Sequence, residues 1–206
     1  MQVFDFQKEY ILENEVVQLR PLLEQDFENL KHFALEQPEI WKYSQLPADS
    51  LEKMKTYLAI ALEERKQQRA YPFIVFDKRN QEYAGSTRFC DFQKRHLTVQ
   101  LGYTWYAKEF QGTGLNKNVK LLLLQFAFEN LAMERVEFRA DSNNKRSIAA
   151  MKSIGCTVEG ILRSNCAAPY GRRDSIILSI LKSEWFDEVK DKLKHKIEKE
   201  KRLFNY

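Results

Sequence analysis

Six consecutive residues, Gln111-Gly112-Thr113-Gly114-Leu115-Asn116, hold the first chemistry that the sequence offers. They follow an extended run ending at Tyr106 and precede a long apolar helical pattern. Glycine permits backbone angles that other residues avoid, and a helix start leaves unpaired N–H groups. A loop of this kind therefore aims several donors at one point and attracts an anion such as a phosphate. Two common phosphate-loop patterns do not fit. A P-loop needs Gly, four residues and then Gly-Lys-Ser/Thr, and no such run occurs. A dinucleotide fingerprint needs a third Gly or Ala three residues after the second glycine, where this chain has Lys117.

A second set of residues lies downstream. Asn144-Lys145-Arg146-Ser147 is followed by Ile148, Ala149, Met151 and Gly155, then by Glu159-Gly160-Ile161-Leu162-Arg163 and by Tyr170-Gly171-Arg172-Arg173-Asp174. Near the start stands Leu19-Arg20-Pro21-Leu22. With a loop of the form Gln/Arg-x-x-Gly-x-Gly/Ala between strand and helix, this order of motifs resembles the GNAT acyltransferases. Within them it looks like the branch of ribosomal-protein N-acetyltransferases of the Rim type, over roughly residues 16–181.

The resemblance implies acetyl-coenzyme A as co-substrate and direct transfer of its acetyl group to a primary amine, without a metal. Residues 111 to 116, namely Gln111, Gly112, Thr113, Gly114, Leu115 and Asn116, would hold the pyrophosphate through backbone N–H groups, with charge added by Lys117. The amide-bearing pantetheine arm would pair like an extra strand with exposed backbone at Thr104, Trp105 and Tyr106, and Asn144 would hydrogen-bond one of its amides or cap the helix that follows. Acetyl transfer needs a deprotonated amine, a donor for the oxyanion and a proton for the departing thiolate. Ser147 and Tyr170 are the candidates for the proton, and a backbone N–H near Tyr106 for the oxyanion. A general base is missing where relatives carry a carboxylate, because Gln100 precedes Leu101-Gly102-Tyr103 and Cys166 follows the Glu159 element. Glu159, Asp174 and His96 are the remaining acid–base groups nearby.

These residues need a scaffold, and hydrophobic periodicity supplies its outline. Strands are predicted over 16–20, 72–76, 82–92 and 97–106, the middle two joined by the polar turn 77–81. Helices are predicted over 24–35 and, with Ser50 as N-cap, 53–69; residues 38–47 break the regularity. After the loop, Leu115, Val119, Leu122, Leu123 and Phe126 recur at helical spacing. A strand over 135–140, a helix over 147–154 closed by Gly155, and strands over 157–162 and 175–181 complete the pattern. The tail, 183–206, carries Trp185, Val189, Leu193 and Ile197 at intervals of four, as in an amphipathic terminal helix or, as the alternative, a coiled-coil or dimer contact. Strands, helix, strand, helix, strands in this order predict an α+β (mixed α/β) fold: a central, mostly antiparallel sheet splayed at the cofactor site, flanked by helices.

Length and composition agree with one domain over 1–206. Of its 206 residues 44% are hydrophobic and 30% charged, enough apolar side chains for a core. A formal charge of +4 with no basic stripe interleaved with aromatics argues against a nucleic-acid partner. No apolar run approaches transmembrane length, and the charged N-terminal stretch lacks a signal-peptide pattern. Three scattered cysteines, Cys90, Cys156 and Cys166, fit neither a disulfide framework nor a metal knuckle and point to a reducing cytoplasm. The expected partner is thus a small-molecule, peptide or protein amine, with the chain a monomer or homodimer. The competing reading is a regulatory module that binds acetyl-coenzyme A without efficient catalysis. A protein N-terminus, a peptide, a polyamine and an amino-sugar antibiotic are all open as acceptors.

Overall fold

A computed structural model describes residues 4–168 and 170–204. Its strands are β1 (Leu12–Glu13), β2 (Val17–Pro21), β3 (Ala70–Asp77), β4 (Glu82–Gln93), β5 (Thr98–Tyr106), β6 (Arg135–Asp141), β7 (Thr157–Ala168) and β8 (Gly171–Leu181). They form one sheet in the order β1-β2-β3-β4-β5-β6-β8-β7, antiparallel throughout except for the parallel pair β5–β6. The mixed, mostly antiparallel sheet expected from the element order is therefore present. Helices α1 (Asp26–Glu36) and α2 (Leu51–Lys66) cover one face, and α3 (Leu115–Gln125) packs on the other. The Ser50 hydroxyl caps α2 by accepting the Lys53 N–H at 3.2 Å, as its sequence position predicts.

Gly155 stops α4 (Lys145–Ser153) for two reasons. Its φ of +103° suits glycine, and a Cβ there would lie 2.8 Å from Val189 Cγ1. Val189 belongs to the C-terminal segment, which runs as α5 (Lys182–Glu184), a π-helical turn (Trp185–Val189) and α6 (Lys190–Phe204). Trp185, Val189, Leu193 and Ile197 are all buried in the chain's own core. That seam is thus spent internally, and its alternative use as a coiled-coil contact is corrected. Burial of each such side chain stabilises by roughly 1.5–3 kcal/mol. The last two residues of the predicted terminal helix lie outside the described residues.

Strands β1, β7 and β8 differ from the sequence expectation, β8 starting at Gly171 rather than 175. β1 has two residues, too few to show any periodicity. β7 runs six residues past Leu162, because the register shift between Leu162 and Cys166 lets polar Ser164 and Asn165 continue a hairpin with β8.

The feature that shapes the site is where the sheet comes apart. β5 and β6 pair only through Thr98↔Arg135, Val99↔Val136 and Gln100↔Glu137, after which the strands diverge into a fork. On the other side of β5 the ladder with β4 jumps from Arg88↔Gly102 to Ser86↔Trp105, so Tyr103 and Thr104 together oppose Thr87. Tyr103 takes a φ of +50° at this bulge. The extra residue reverses side-chain parity along the strand. Tyr103 and Trp105 consequently face the α1–α2 side, with Tyr103 against Arg88 and Trp105 against Phe33, Trp41 and Tyr57. Thr104 faces α3, where its hydroxyl accepts from Lys120.

Candidate active site

The fork opens into a cleft of about 790 Å³ that reaches both faces of the sheet. On the α3 side it is lined by Gln111, Gly112, Asn116, Lys120, Thr104, Tyr106, Phe138 and, from α4, Ser147, Ala150 and Met151. On the α1–α2 side the lining includes Trp41, Tyr57, Glu64, Gln68, Cys90, Gln100 and Tyr103. A molecule on one face can therefore meet a molecule on the other only through the gap between β5 and β6.

The glycine loop stands at the α3 end. Gly112 and Gly114 adopt φ of +78° and +82°, the left-handed values that the sequence reading required, and Gly114 is the N-cap of α3. A Cβ at Gly112 would meet nothing within 4 Å, so the space before the loop is open. The loop is held from behind. Arg79, in the β3–β4 turn, donates to the Thr113 carbonyl at 2.9 Å while ion-paired to Asp77 at 2.6 Å, and the Thr113 hydroxyl donates to the Phe110 carbonyl at 2.8 Å. The Gln111 amide donates to the Tyr106 carbonyl at 2.7 Å, and Arg146 at the start of α4 donates to the Gln111 side-chain oxygen. Arg146 thus brings a guanidinium to the loop. Lys117 does not, since it forms an ion pair with Glu200 of α6 at 2.5 Å.

The other predicted residues fall into three groups. Gln111, Gly112, Asn116, Thr104, Trp105, Tyr106, Asn144 and Ser147 all line the cleft. Trp105 and Tyr106 are buried: the Trp105 indole donates to the Tyr57 hydroxyl at 3.2 Å, and the Tyr106 hydroxyl, with no partner among the described residues, has its pKa raised by burial. Asn144 caps α4 by accepting the Ser147 N–H at 3.0 Å. The Ser147 hydroxyl takes no part in that cap. Thr113, Gly114 and Leu115 shape the loop without lining the cleft, Leu115 being fully buried. Tyr170 sits at the β7–β8 turn, 53% exposed and away from the cleft lining. Its position after the hairpin tip carries it outward, so the structure does not bring it to the site.

The acid–base candidates are likewise sorted. Gln100 lines the cleft beside Cys90, and Cys166 accepts the Gln45 amide N–H at 2.9 Å across its rim. Glu159 is bound by Arg135 and by Ser179, and its hydrogen bond from Arg135 lowers its pKa, which holds it as a carboxylate. Glu159, Asp174 and His96 lie outside the cleft lining. The lining carries three carboxylates, Glu64, Asp91 and Asp141, of which α2 supplies Glu64, accepting from Arg88 at 2.9 Å. Arg88 is wholly buried, with the rings of Tyr57 and Tyr103 at 5.0 and 4.3 Å. Sequence reading missed Glu64, which sits in the run Glu63-Glu64-Arg65 with nothing to distinguish it from a solvated helix face. It also missed Lys120. That lysine interrupts the apolar side of α3 four residues after Asn116, and this spacing was a readable sign that both share a face. Among the described residues no cluster of His, Cys, Asp and Glu could hold a metal ion, and no helix is long and apolar enough to cross a membrane.

With this geometry in view, comparison with known proteins is specific. The acetyltransferase (GNAT) domain family matches residues 17–157. YdaF of Bacillus subtilis (strain 168), a provisionally assigned ribosomal N-acetyltransferase, is 36% identical over 90 residues. That match covers 44% of this chain and 49% of YdaF, so the chain spans about half the length of this relative. A crystal structure from T. thermophilus, given a similarly provisional acetyltransferase label, is 31% identical with a TM-score of 0.82, over 95% of this chain and 99% of that one. Mycobacterium smegmatis RimJ, solved with CoA-disulfide, shares the fold at 18% identity and a TM-score of 0.75, over 91% and 93% of the two chains.

Proposed function

Since the chain belongs to the GNAT acetyltransferase family, we propose that it is an N-acetyltransferase that uses acetyl-coenzyme A to acetylate a primary amine, working as one catalytic unit. The observation that carries this is the fork: one cleft with a phosphate-type loop on one face of the sheet and a carboxylate-bearing chamber on the other. The residues fit the coenzyme. Gly112 leaves open space before the helix start, Arg146 supplies a cation beside it, and β5 beyond Gln100 has backbone with no β6 partner for an amide-bearing arm. When bound, acetyl-coenzyme A supplies an activated acetyl thioester.

The chain's own residues then have separable tasks. Gln111 to Asn116 bind the pyrophosphate, and Thr104 to Tyr106 with the Asn144 amide orient the arm. The bulge at Tyr103 and Thr104, outside the β4 register, offers backbone N–H groups to a developing oxyanion. Ser147 presents a hydroxyl to the sulfur side. Glu64 receives the acceptor's ammonium group and, with water, its proton, the task left vacant by Gln100. The acceptor chamber also carries the side-chain amides of Gln45, Gln68, Gln100 and Asn165. Amides pair donor and acceptor with peptide groups, so this lining favours a peptide or protein N-terminus. The compartment we assign is the cytoplasm, where free thiols persist.

The test is release of free coenzyme A thiol from acetyl-coenzyme A in the presence of N-terminal peptides, polyamines and amino sugars. Peptide-dependent release above background is the expected result. Coenzyme binding with no release from any amine would replace this reading by a binding module.

A further inference from the structure

Lys120 has no assigned task, and its setting is unusual for a lysine. It is 4% exposed and lines the cleft. Its ammonium donates to the Thr104 hydroxyl at 3.0 Å, and that hydroxyl lies 2.7 Å from the Thr87 hydroxyl. The Phe138 ring centroid of β6 stands 5.9 Å away. The side chain therefore spans the base of the fork, with β5 on one side and β6 on the other. Asn116 and Lys120 are one helical turn apart on α3, about 6 Å. A ligand whose phosphates rest at Asn116 passes over Lys120 on its way into the gap.

The groups that face Lys120 are few. β5 presents Thr104 and β6 presents an aromatic ring. From the connection between α4 and β7, Cys156 acts on it, but burial pushes that thiol up to about 12, so it stays neutral. On α3 itself, Lys117 is paired with Glu200. Among the described residues Lys120 has no salt-bridge partner, and the other charged groups of the lining, Glu64, Arg69, Asp91, Arg139, Asp141, Arg146 and Arg173, form none with it. Burial without a counter-ion pulls the amine down to about 7. An amine in this condition exchanges its proton near neutral pH, which is the property wanted of a general acid.

We propose that Lys120 is the proton source for the thiolate released on acetyl transfer, addressing the coenzyme sulfur from the floor of the fork. This rests on the N-acetyltransferase reading above. As the C–N bond forms to the acetyl carbon, the C–S bond breaks with its electron pair on sulfur. The Lys120 ammonium passes one proton to that sulfur and becomes a neutral amine. The proton shed by the acceptor nitrogen leaves through water and one returns to Lys120, so no net charge or atom is gained. Ser147, which lines the same cleft, would hydrogen-bond the sulfur, but an ordinary hydroxyl lies far from the acidity that efficient proton transfer at neutral pH requires.

The proposal is tested without turnover, through the ultraviolet thiolate band of coenzyme A bound to the full-length protein. If Lys120 addresses the sulfur, the two share a proton and titrate as a pair, so part of the thiolate band should appear in the step near about pH 7 in which the amine loses its proton, well below the value in free coenzyme A. In Lys120→Met the band should return to the free value while calorimetry still records coenzyme binding. A bound thiol that titrates like the free one in the unaltered protein overturns the proposal and leaves the acetyltransferase reading standing. The same wild-type titration decides the matter if Lys120→Met does not fold. Failure of the protein to bind coenzyme A at all overturns both readings.

Discussion

Lys120→Met should make the protein more stable, and by an amount that depends on pH in a defined direction. A lysine that ordinarily loses its proton near 10.5 is pulled by burial to about 7. At about 1.4 kcal/mol per pKa unit, holding the protonated form in the native state costs on the order of 5 kcal/mol. Between about pH 7 and about pH 10 the unfolded chain keeps a proton that the native chain has released. Unfolding therefore takes up a proton in this window, and the free energy of unfolding rises with pH across it. Below about pH 7 both states are protonated and the whole cost is present. Methionine has similar length and no charge to desolvate, so Lys120→Met removes the cost and its pH dependence together. Urea unfolding of the two proteins, without coenzyme, should separate their midpoints by roughly 2 M near pH 6, with methionine the more stable, and bring them together towards pH 10. A gap between the two proteins that stays constant over this range would refute the reasoning, since it would mean that the amine titrates alike in both states.

Two further outcomes concern the cleft. Gly114→Val puts a β-branched residue at a φ of +82° in the loop and should abolish measurable coenzyme affinity by calorimetry. Backbone strain of about 1–3 kcal/mol should lower the thermal midpoint by no more than roughly 10 °C; unchanged affinity would remove the loop from the site. Ser147→Ala leaves intact the cap made by Asn144, which uses the Ser147 backbone, so steady-state kinetics should show turnover falling about tenfold with little change in coenzyme affinity. Equal loss of both would make Ser147 a structural residue.

What could be read from the chain alone follows from the range of the physics involved. The Ser50 and Asn144 caps have partners within a few residues, and the left-handed backbone of Gly112, Gly114 and Gly155 is a property of glycine itself, so residue type and spacing sufficed for these, whereas Val189 behind Gly155 and Arg79 behind the loop lay out of local reach. The apolar seam of Trp185, Val189, Leu193 and Ile197 was visible as a period, yet nothing in a period says whether its partner is the same chain or another. Lys117 was credited with a charge for the loop because Glu200, which takes it, is 83 residues away. Glu64 and Arg88 meet across α2 and β4, and Tyr170 leaves the site because the β7–β8 hairpin is longer than its hydrophobic pattern. Each of these depends on tertiary neighbours that no local pattern contains.

The single extra residue at Tyr103 has a practical consequence for engineering. One strand serves two chemistries because its parity changes midway: Gln100 and Tyr103 belong to the acceptor chamber, Thr104 to the coenzyme side. This division of labour tolerates exchange of side chains but not a change of length. Deleting Tyr103 would restore plain alternation, with Thr104 opposite Thr87 and Trp105 opposite Ser86 on their present faces, but it would remove the bulged backbone offered to the oxyanion and the ring against Arg88. Libraries aimed at new acceptors can therefore vary Gln100, and at Tyr103 other aromatic residues that keep a ring against Arg88, provided that the residue count through the bulge is preserved.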